Sequence, residues 1–277
     1  MTKIGVFDSG FGGLTVLKAL LEAIPSADYL YFGDTARLPY GSKSVETVAK
    51  YACEAARFLE QQGAELLVIA CNTATALALE HIRQASPVEV VGVIEPGAQR
   101  AAAASSTRKV VVIGTEATIC SHAYRNALAK YHAESREKAC PLLVPLVEEG
   151  WTDNPVTEQV ARIYLAEAFA DGFFSADVLL LGCTHYPLLK PVLQKLVPEG
   201  VTLVDSAEST AQAVAGLLEK EMKKAENVGG PAMARDPQRN SAKIKFFVTD
   251  SAQKFQRLGK LFLGQPMTDV IHVELKE

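Results

Sequence analysis

The residues best suited to chemistry in this chain are two cysteines in matching contexts, Cys71 in VIACNTA and Cys183 in LLGCTHY. Each ends an apolar run and precedes a short polar step into a helix, with Thr73 and Thr184 as the expected caps. A thiol at a helix N-terminus is drawn towards the thiolate, because unpaired N–H groups and the helix dipole favour negative charge there. Such a thiolate can serve as a nucleophile or as a proton-transfer base. Two equivalent thiols facing one ligand suit a reaction that treats both faces of a molecule alike. Cys53, Cys120 and Cys140 lack the duplicated context and are assigned to the core as small apolar side chains.

Other polar groups fall at corresponding places. Asp8 closes an apolar run in VFDSGFGG, where a carboxylate could orient a base, accept a proton or hold an ammonium group. The competing reading makes Asp8 and Ser9 a turn-and-cap pair. Gly10, Gly12 and Gly13 permit positive φ and are expected to bring backbone N–H groups close to an anion. The run lacks the lysine of a P-loop and does not fit G-x-G-x-x-G, so a small carboxylate is favoured over a nucleotide. His185 lies two residues after Cys183 and could move a proton near neutral pH. Glu148 and Glu149 follow another apolar run, one expected to enter the site and the other to face solvent, with nothing in the residues choosing between them. The loop GDTARLPYGSKS carries Tyr40, Gly41 and Ser42, which could offer hydroxyl and backbone donors. Asn72, Thr73, Thr115, Thr118 and Thr184 add small polar groups that fit a compact, amino-acid-like ligand. His81, His122, His132 and His272 fall on expected helices or the last strand without metal-ligand spacing, and no zinc pattern is present.

These groups need a scaffold that presents strand ends to one cleft. Apolar runs (KIGVF, DYLYF, ELLVIA, EVVGVI, KVVVIG, LLVPLV, DVLLLG, VTLVD, IKFFVT, VIHVEL) alternate with helical segments. The expected helices start near Leu14, span Val45 to Gln62, follow Cys71, run from Ile119 to Tyr131 and from Val156 to Ala170, follow Pro187, span Ala207 to Lys223, and start at Ala252. This alternation predicts an α/β fold of right-handed βαβ units with mostly parallel sheets, which bind ligands at the carboxyl ends of their strands. Polar residues 223–242 read as a surface loop. Asp8 precedes Cys71 at a spacing comparable to that of Thr115 and Cys183, a faint repeat that predicts two pseudo-symmetric lobes facing each other across a cleft. The expected division is 1–96 with 207–277 against 97–206.

With 277 residues, 48% of them hydrophobic, the chain can build an ample core. A net charge of −4 gives no basic surface for nucleic acid or an anionic membrane. The start MTKIGVFDSG has no signal-peptide pattern, and the apolar runs are too short to span a bilayer. Five cysteines at irregular spacing suggest a reducing cytoplasm.

The ordered segments FDSGFGGLTV, LPYGSK, ACNTAT, GVIEPGA, VIGTEATI, CPLLVPLVE and LGCTHYPLL resemble the signature segments of the glutamate racemase family, and the C-terminal FFVTDSAQKFQRLGKLFLG resembles that family's ending. The resemblance implies interconversion of L- and D-glutamate for peptidoglycan synthesis, with no cofactor, neither pyridoxal phosphate nor metal. It implies Cys71 and Cys183 as the two bases, acting on D- and L-glutamate respectively, with Asp8 and His185 as their helpers. It selects Glu148 over Glu149. It gives Ser9, Tyr40, Gly41, Asn72, Thr73 and Thr184 to substrate binding, with Ser42, Thr115 and Thr118 added. Members of that family are often homodimers. Two other readings stand beside it: a superfamily relative acting on aspartate, a hydantoin or maleate, against which FDSGFGG and PYGS argue, and a non-catalytic amino-acid-binding protein.

Overall fold

The computed structural model describes residues 2–227 and 242–275. The chain builds two all-parallel sheets, and the order of strands within them follows from which runs are apolar throughout. The first sheet begins with β1 (Lys3–Asp8), β2 (Asp28–Gly33), β3 (Leu66–Ile69) and β4 (Glu89–Gly92). They are linked by α1 (Leu14–Ala23), α2 (Val45–Gln61) and α3 (Asn72–Ala85). After α4 (Ile94–Ala104) the chain enters the second sheet with β5 (Lys109–Gly114). Helices α5 (Glu116–Cys120) and α6 (Ala123–Lys130) lead to β6 (Glu134–Ala139). Then α7 (Leu143–Glu148) and α8 (Pro155–Ala168) precede β7 (Val178–Gly182), and α9 (Lys190–Leu196) precedes β8 (Thr202–Asp205). The long helix α10 (Ser206–Asn227) leaves the second sheet; β9 (Ile244–Val248), α11 (Ala252–Leu263) and β10 (Val270–His272) complete the first. Strand order is β10-β9-β2-β1-β3-β4 in one sheet and β6-β5-β7-β8 in the other.

Central strands are buried on both faces, so they read as continuous apolar runs: β3 and β7 are buried at every residue. Helix starts are fixed locally. Ser44 caps α2 by accepting from Thr47 N–H, and Asn154 caps α8 by accepting from Val156 N–H, with Pro155 at the first helical position.

Five local expectations are corrected. The run LLVPLV is not a strand but lies mostly in α7, because Pro145 would remove a ladder N–H from a strand, whereas in a helix's first turn its missing N–H is not needed. The strand in that region is the charged ESREKA, which forms β6 at the sheet edge and pairs only with β5. Charged side chains suit such an edge, so hydrophobicity gave no signal. The helix expected over Ile119 to Tyr131 is two, broken where His122 adopts φ 54°. His122 and His132 thus occupy left-handed turns instead of helices. EVVGVI is expected as strand throughout, yet β4 stops at Gly92 and Ile94 already begins α4. Residues 223–227 of the expected loop continue α10, and 228–241 lie outside the described residues. Among the described residues, no helix is long and apolar enough to cross a membrane.

Candidate active site

The carboxyl ends of β1, β3, β5 and β7 converge on one cleft of about 350 Å³, at the small end of the usual range for ligand sites. Cys71 and Cys183 line it, with Ser9, Tyr40, Gly41, Ser42, Asn72, Thr73, Thr115, Glu148, Thr184 and His185. Asp8 and Thr118 are fully buried and stand outside that lining. Pro39, Glu116 and Pro145 also form part of the wall and were not anticipated, although each adjoins a motif residue.

The two thiols have unlike neighbours. Cys71 is itself the N-cap of α3, its Sγ accepting from Ala74 N–H at 3.4 Å, a role expected of Thr73. Its Sγ is also 3.4 Å from Ser9 Oγ. Burial pushes the Cys71 thiol up to about 12, the charge of Asp8 adds to this, and the Ser9 hydroxyl and Ala74 N–H oppose it. The expected lowering by the helix terminus is therefore present but outweighed. Cys183 Sγ lies 3.9 Å from His185 Nδ1, and His185 Nε2 lies 3.2 Å from Glu148 Oε1. Burial alone would favour a neutral ring, yet the bonds and charges of Cys183 and Glu148 lift His185 to about 10. Thr184 leads into a turn and caps no helix; its hydroxyl reaches Asp8 Oδ1 at 3.5 Å. Of the other cysteines, Cys140 is buried as expected, Cys53 is half-buried, and Cys120 is exposed, contrary to its assignment to the core.

Asp8 does close a turn: Gly10 N–H donates to Oδ2 at 2.8 Å and Gly13 N–H also donates to the carboxylate. Burial raises its pKa, while the nearby His185 charge and these donors oppose the rise. The glycines of this turn do not use positive φ. Close approach explains Gly12, where an added Cβ would lie 2.6 Å from His185 Nδ1 and closer still to Thr184 Oγ1.

Three hydroxyls bridge the sheets: Thr73 Oγ1 is 2.9 Å from Thr115 Oγ1 and 3.1 Å from Thr118 Oγ1, which are 2.9 Å apart. Helix α3 also points the N–H groups of Asn72 and Thr73, which have no intrahelical acceptor, towards this region. The Tyr40 hydroxyl is committed elsewhere, donating to the buried Asp34 at 2.6 Å, so Tyr40 contributes its ring and backbone to the wall. Asp34 also accepts from Thr249 Oγ1 at 2.8 Å, tying the 35–42 segment to β9. Among the described residues, no Lys or Arg lines the cleft. Among the described residues, no cluster of His, Cys, Asp and Glu could hold a metal ion.

Paired parallel sheets enclosing two buried thiols define a racemase-type scaffold, and residues 4–214 match the Asp/Glu/Hydantoin racemase family, to which the chain belongs. Relatives that match it over nearly their full length include glutamate racemases. It is 58% identical to the glutamate racemase of Koribacter versatilis, over 98% of this chain and 97% of that one. Among solved structures, it is similar to a Bacillus anthracis glutamate racemase (36% identity, TM-score 0.89, 99% and 98% of the two chains). It is equally similar in sequence to the Francisella tularensis enzyme solved in complex with D-glutamate (36%, TM-score 0.86, 99% and 98%).

Proposed function

We propose that the protein interconverts L- and D-glutamate by two-base proton transfer at the α-carbon, supplying D-glutamate for peptidoglycan synthesis in the cytoplasm. The observation that carries this reading is the pair of buried thiols, each with its own proton-handling neighbours, on the wall of one small cleft. Full-length likeness to glutamate racemases supports glutamate as the substrate.

In the proposed reaction, one thiolate takes the α-proton, leaving the electron pair on the α-carbon and its carboxylate. The opposite thiol then delivers its proton to the other face. Turnover leaves the first thiol protonated and the second ionised, so the reverse reaction exchanges their roles. Cys183 is assigned to L-glutamate and Cys71 to D-glutamate. Glu148 holds the Nε2–H side of His185 and leaves Nδ1 to exchange a proton with Cys183. Asp8 and Ser9 serve Cys71, and the raised pKa of Asp8 suits a carboxyl that accepts a proton from a thiol of high pKa. Hydroxyls of Ser9, Ser42, Thr73, Thr115 and Thr184, the Asn72 amide and the backbone at Gly41 are assigned to the substrate's polar groups, with Thr118 supporting from behind. Hydroxyl, amide and backbone N–H donors on the cleft wall stabilise the negative charge that develops on the carboxylate. The lobes 1–96 with 207–277 and 97–206 are taken as the bodies that enclose the substrate.

The test is incubation of metal-free protein with L-glutamate in deuterated water, following optical rotation and α-deuterium together. Loss of rotation with deuterium gained at the α-carbon supports racemisation. If aspartate or a hydantoin reacts and glutamate does not, the substrate assignment falls; if none reacts, a binding role replaces catalysis.

A further inference from the structure

The Asn72 side chain carries an unusual imbalance. Asn72 is 3% exposed and lines the cleft. Its Oδ1 accepts from the Tyr124 hydroxyl at 2.5 Å, while its Nδ2 is buried with no hydrogen-bond partner. A buried donor left unpaired is costly, and a bound acceptor would offset that cost. Tyr124 is fully buried in α6, and a hydrogen bond from Ser206 at the start of α10 also reaches its hydroxyl. With the Ser206 hydroxyl donating to it, the phenol directs its own proton to Asn72, which fixes the amide with oxygen inward and nitrogen free. The ring is equally confined: a Cβ at Gly182, the residue before Cys183, would lie 2.9 Å from Tyr124 Cε2. A Cβ at Gly97 would come within 3.5 Å of the Tyr124 hydroxyl and 3.2 Å of Ser206 Cβ.

We infer that Tyr124 is a positioning residue: through the relay Ser206–Tyr124–Asn72 it sets the hydrogen-bond polarity of Asn72, making this part of the cleft a donor site that selects a carboxylate oxygen. The inference deepens the proposed function and rests on its placing of Asn72 at the substrate. It does not depend on which thiol serves which enantiomer. An amide rotated by half a turn would present its oxygen to the ligand, and a carboxylate, which only accepts, would then meet repulsion.

The test is Tyr124→Phe, which keeps the ring packing and removes the hydroxyl. D-glutamate binding is read by calorimetry and KM and kcat by polarimetry, in Tyr124→Phe, Asn72→Ala and the double variant. Weakening of D-glutamate binding and a rise in KM, each on the order of tenfold, are expected in Tyr124→Phe, with a smaller change in kcat. No further loss is expected from Tyr124→Phe in the Asn72→Ala background, because a residue that acts only through Asn72 has nothing left to act on. Ser206→Ala is the second variant, expected to raise KM less than Tyr124→Phe, and it carries the cycle if Tyr124→Phe fails to fold. If Asn72→Ala weakens binding but the tyrosine or serine change does not, or adds to it in full, the inference is overturned and the proposed function stands. If Asn72→Ala binds D-glutamate as the wild type does, the inference falls with the placing of Asn72, while wild-type turnover in deuterated water judges the function separately.

Discussion

Replacing Glu148 with glutamine isolates the electrostatic part of the Cys183 relay. Glu148 Oε1 lies 3.2 Å from His185 Nε2, and glutamine keeps an acceptor there while removing one charge. Unit charges at this separation interact by about 5 kcal/mol at an effective dielectric of about 20, which is a ceiling. The Glu148 side chain is 20% exposed, so water screens the pair. An opposite charge at such range shifts a pKa by about 1–3 units, and after screening we take the lower half of that span. At about 1.4 kcal/mol per unit, the Cys183 thiolate–imidazolium pair is weakened by about 1.4–2.7 kcal/mol, so kcat/KM falls about 10- to 100-fold. Enantiomers have equal free energy, so the loss in kcat/KM must be the same in both directions. The asymmetry lies in KM. Fewer molecules hold the form with Cys183 ionised, which on our reading takes the proton from L-glutamate, and apparent affinity scales with the population of the competent form. KM for L-glutamate therefore rises relative to that for D-glutamate, and the ratio of forward to reverse kcat rises equally. Polarimetry started from each enantiomer reads both constants, with thermal melting as the control for folding. A kcat/KM within about twofold of wild type, or a KM shift on the D-glutamate side, refutes the reasoning.

Three further outcomes follow from the same geometry. Cys71→Ser and Cys183→Ser should each lower racemisation on the order of 10³-fold or more while leaving the melting temperature nearly unchanged, and normal turnover in either would end the two-base account. Gly12→Ala should lower kcat/KM about tenfold or more, since its methyl would press on His185 Nδ1, whereas Gly216→Ala in α10, with nothing within 4 Å, should leave kinetics unchanged. Asp177 accepts from Ser105 Oγ, from the N–H and hydroxyl of Ser106 and from those of Thr107. Although burial acts the other way, these donors hold its carboxyl well below the usual range, so its stabilisation is fully present above about pH 4 and is lost as pH falls through the folded-state value. Asp177→Asn should cost about 1–3 kcal/mol at neutral pH, with the gap from wild type narrowing as pH falls below about 4 in an acid denaturation series; a gap that stays constant as pH falls below about 4 would assign the effect to packing.

What was legible in the sequence is what local chemistry writes into adjacent residues. An apolar run such as VLLLG followed by CTHY specifies a buried strand, a turn and a thiol at the ligand-binding end without reference to the rest of the chain. Edge strand β6 was invisible because its partner β5 supplies the apolar face, and α7 was misread because apolarity was weighed above the proline inside it. Contacts across the cleft carry no local mark. Thr73 meets Thr115 and Asn72 meets Tyr124 only because two sheets face each other, and nothing near Tyr124 distinguishes it from a core aromatic. The acidity of Cys71 was misjudged for a related reason: the helix terminus is a local feature, but burial is a property of the whole fold and outweighs it.

Among the described residues the cleft wall carries no Lys or Arg, which bears on how an anion is held. Glutamate at neutral pH carries one net negative charge, and the chain carries −4. Long-range attraction therefore contributes little to capture, the His185 charge being paired with Glu148, and on the proposed function binding comes from short hydrogen bonds to hydroxyls, the Asn72 amide and the N–H groups at the start of α3. Such bonds act within contact distance inside a buried site, where mobile ions do not screen them, whereas attraction to a surface cation decays as the screening length shrinks from about 30 Å at 0.01 M salt to about 8 Å at 0.15 M. KM should accordingly change by less than about twofold over that range, with any drift downward as salt weakens repulsion from the net negative protein. A steep rise in KM with potassium chloride would mean that a lysine or arginine outside the present wall is the principal anchor of a substrate carboxylate, and that hydroxyls and backbone donors are secondary.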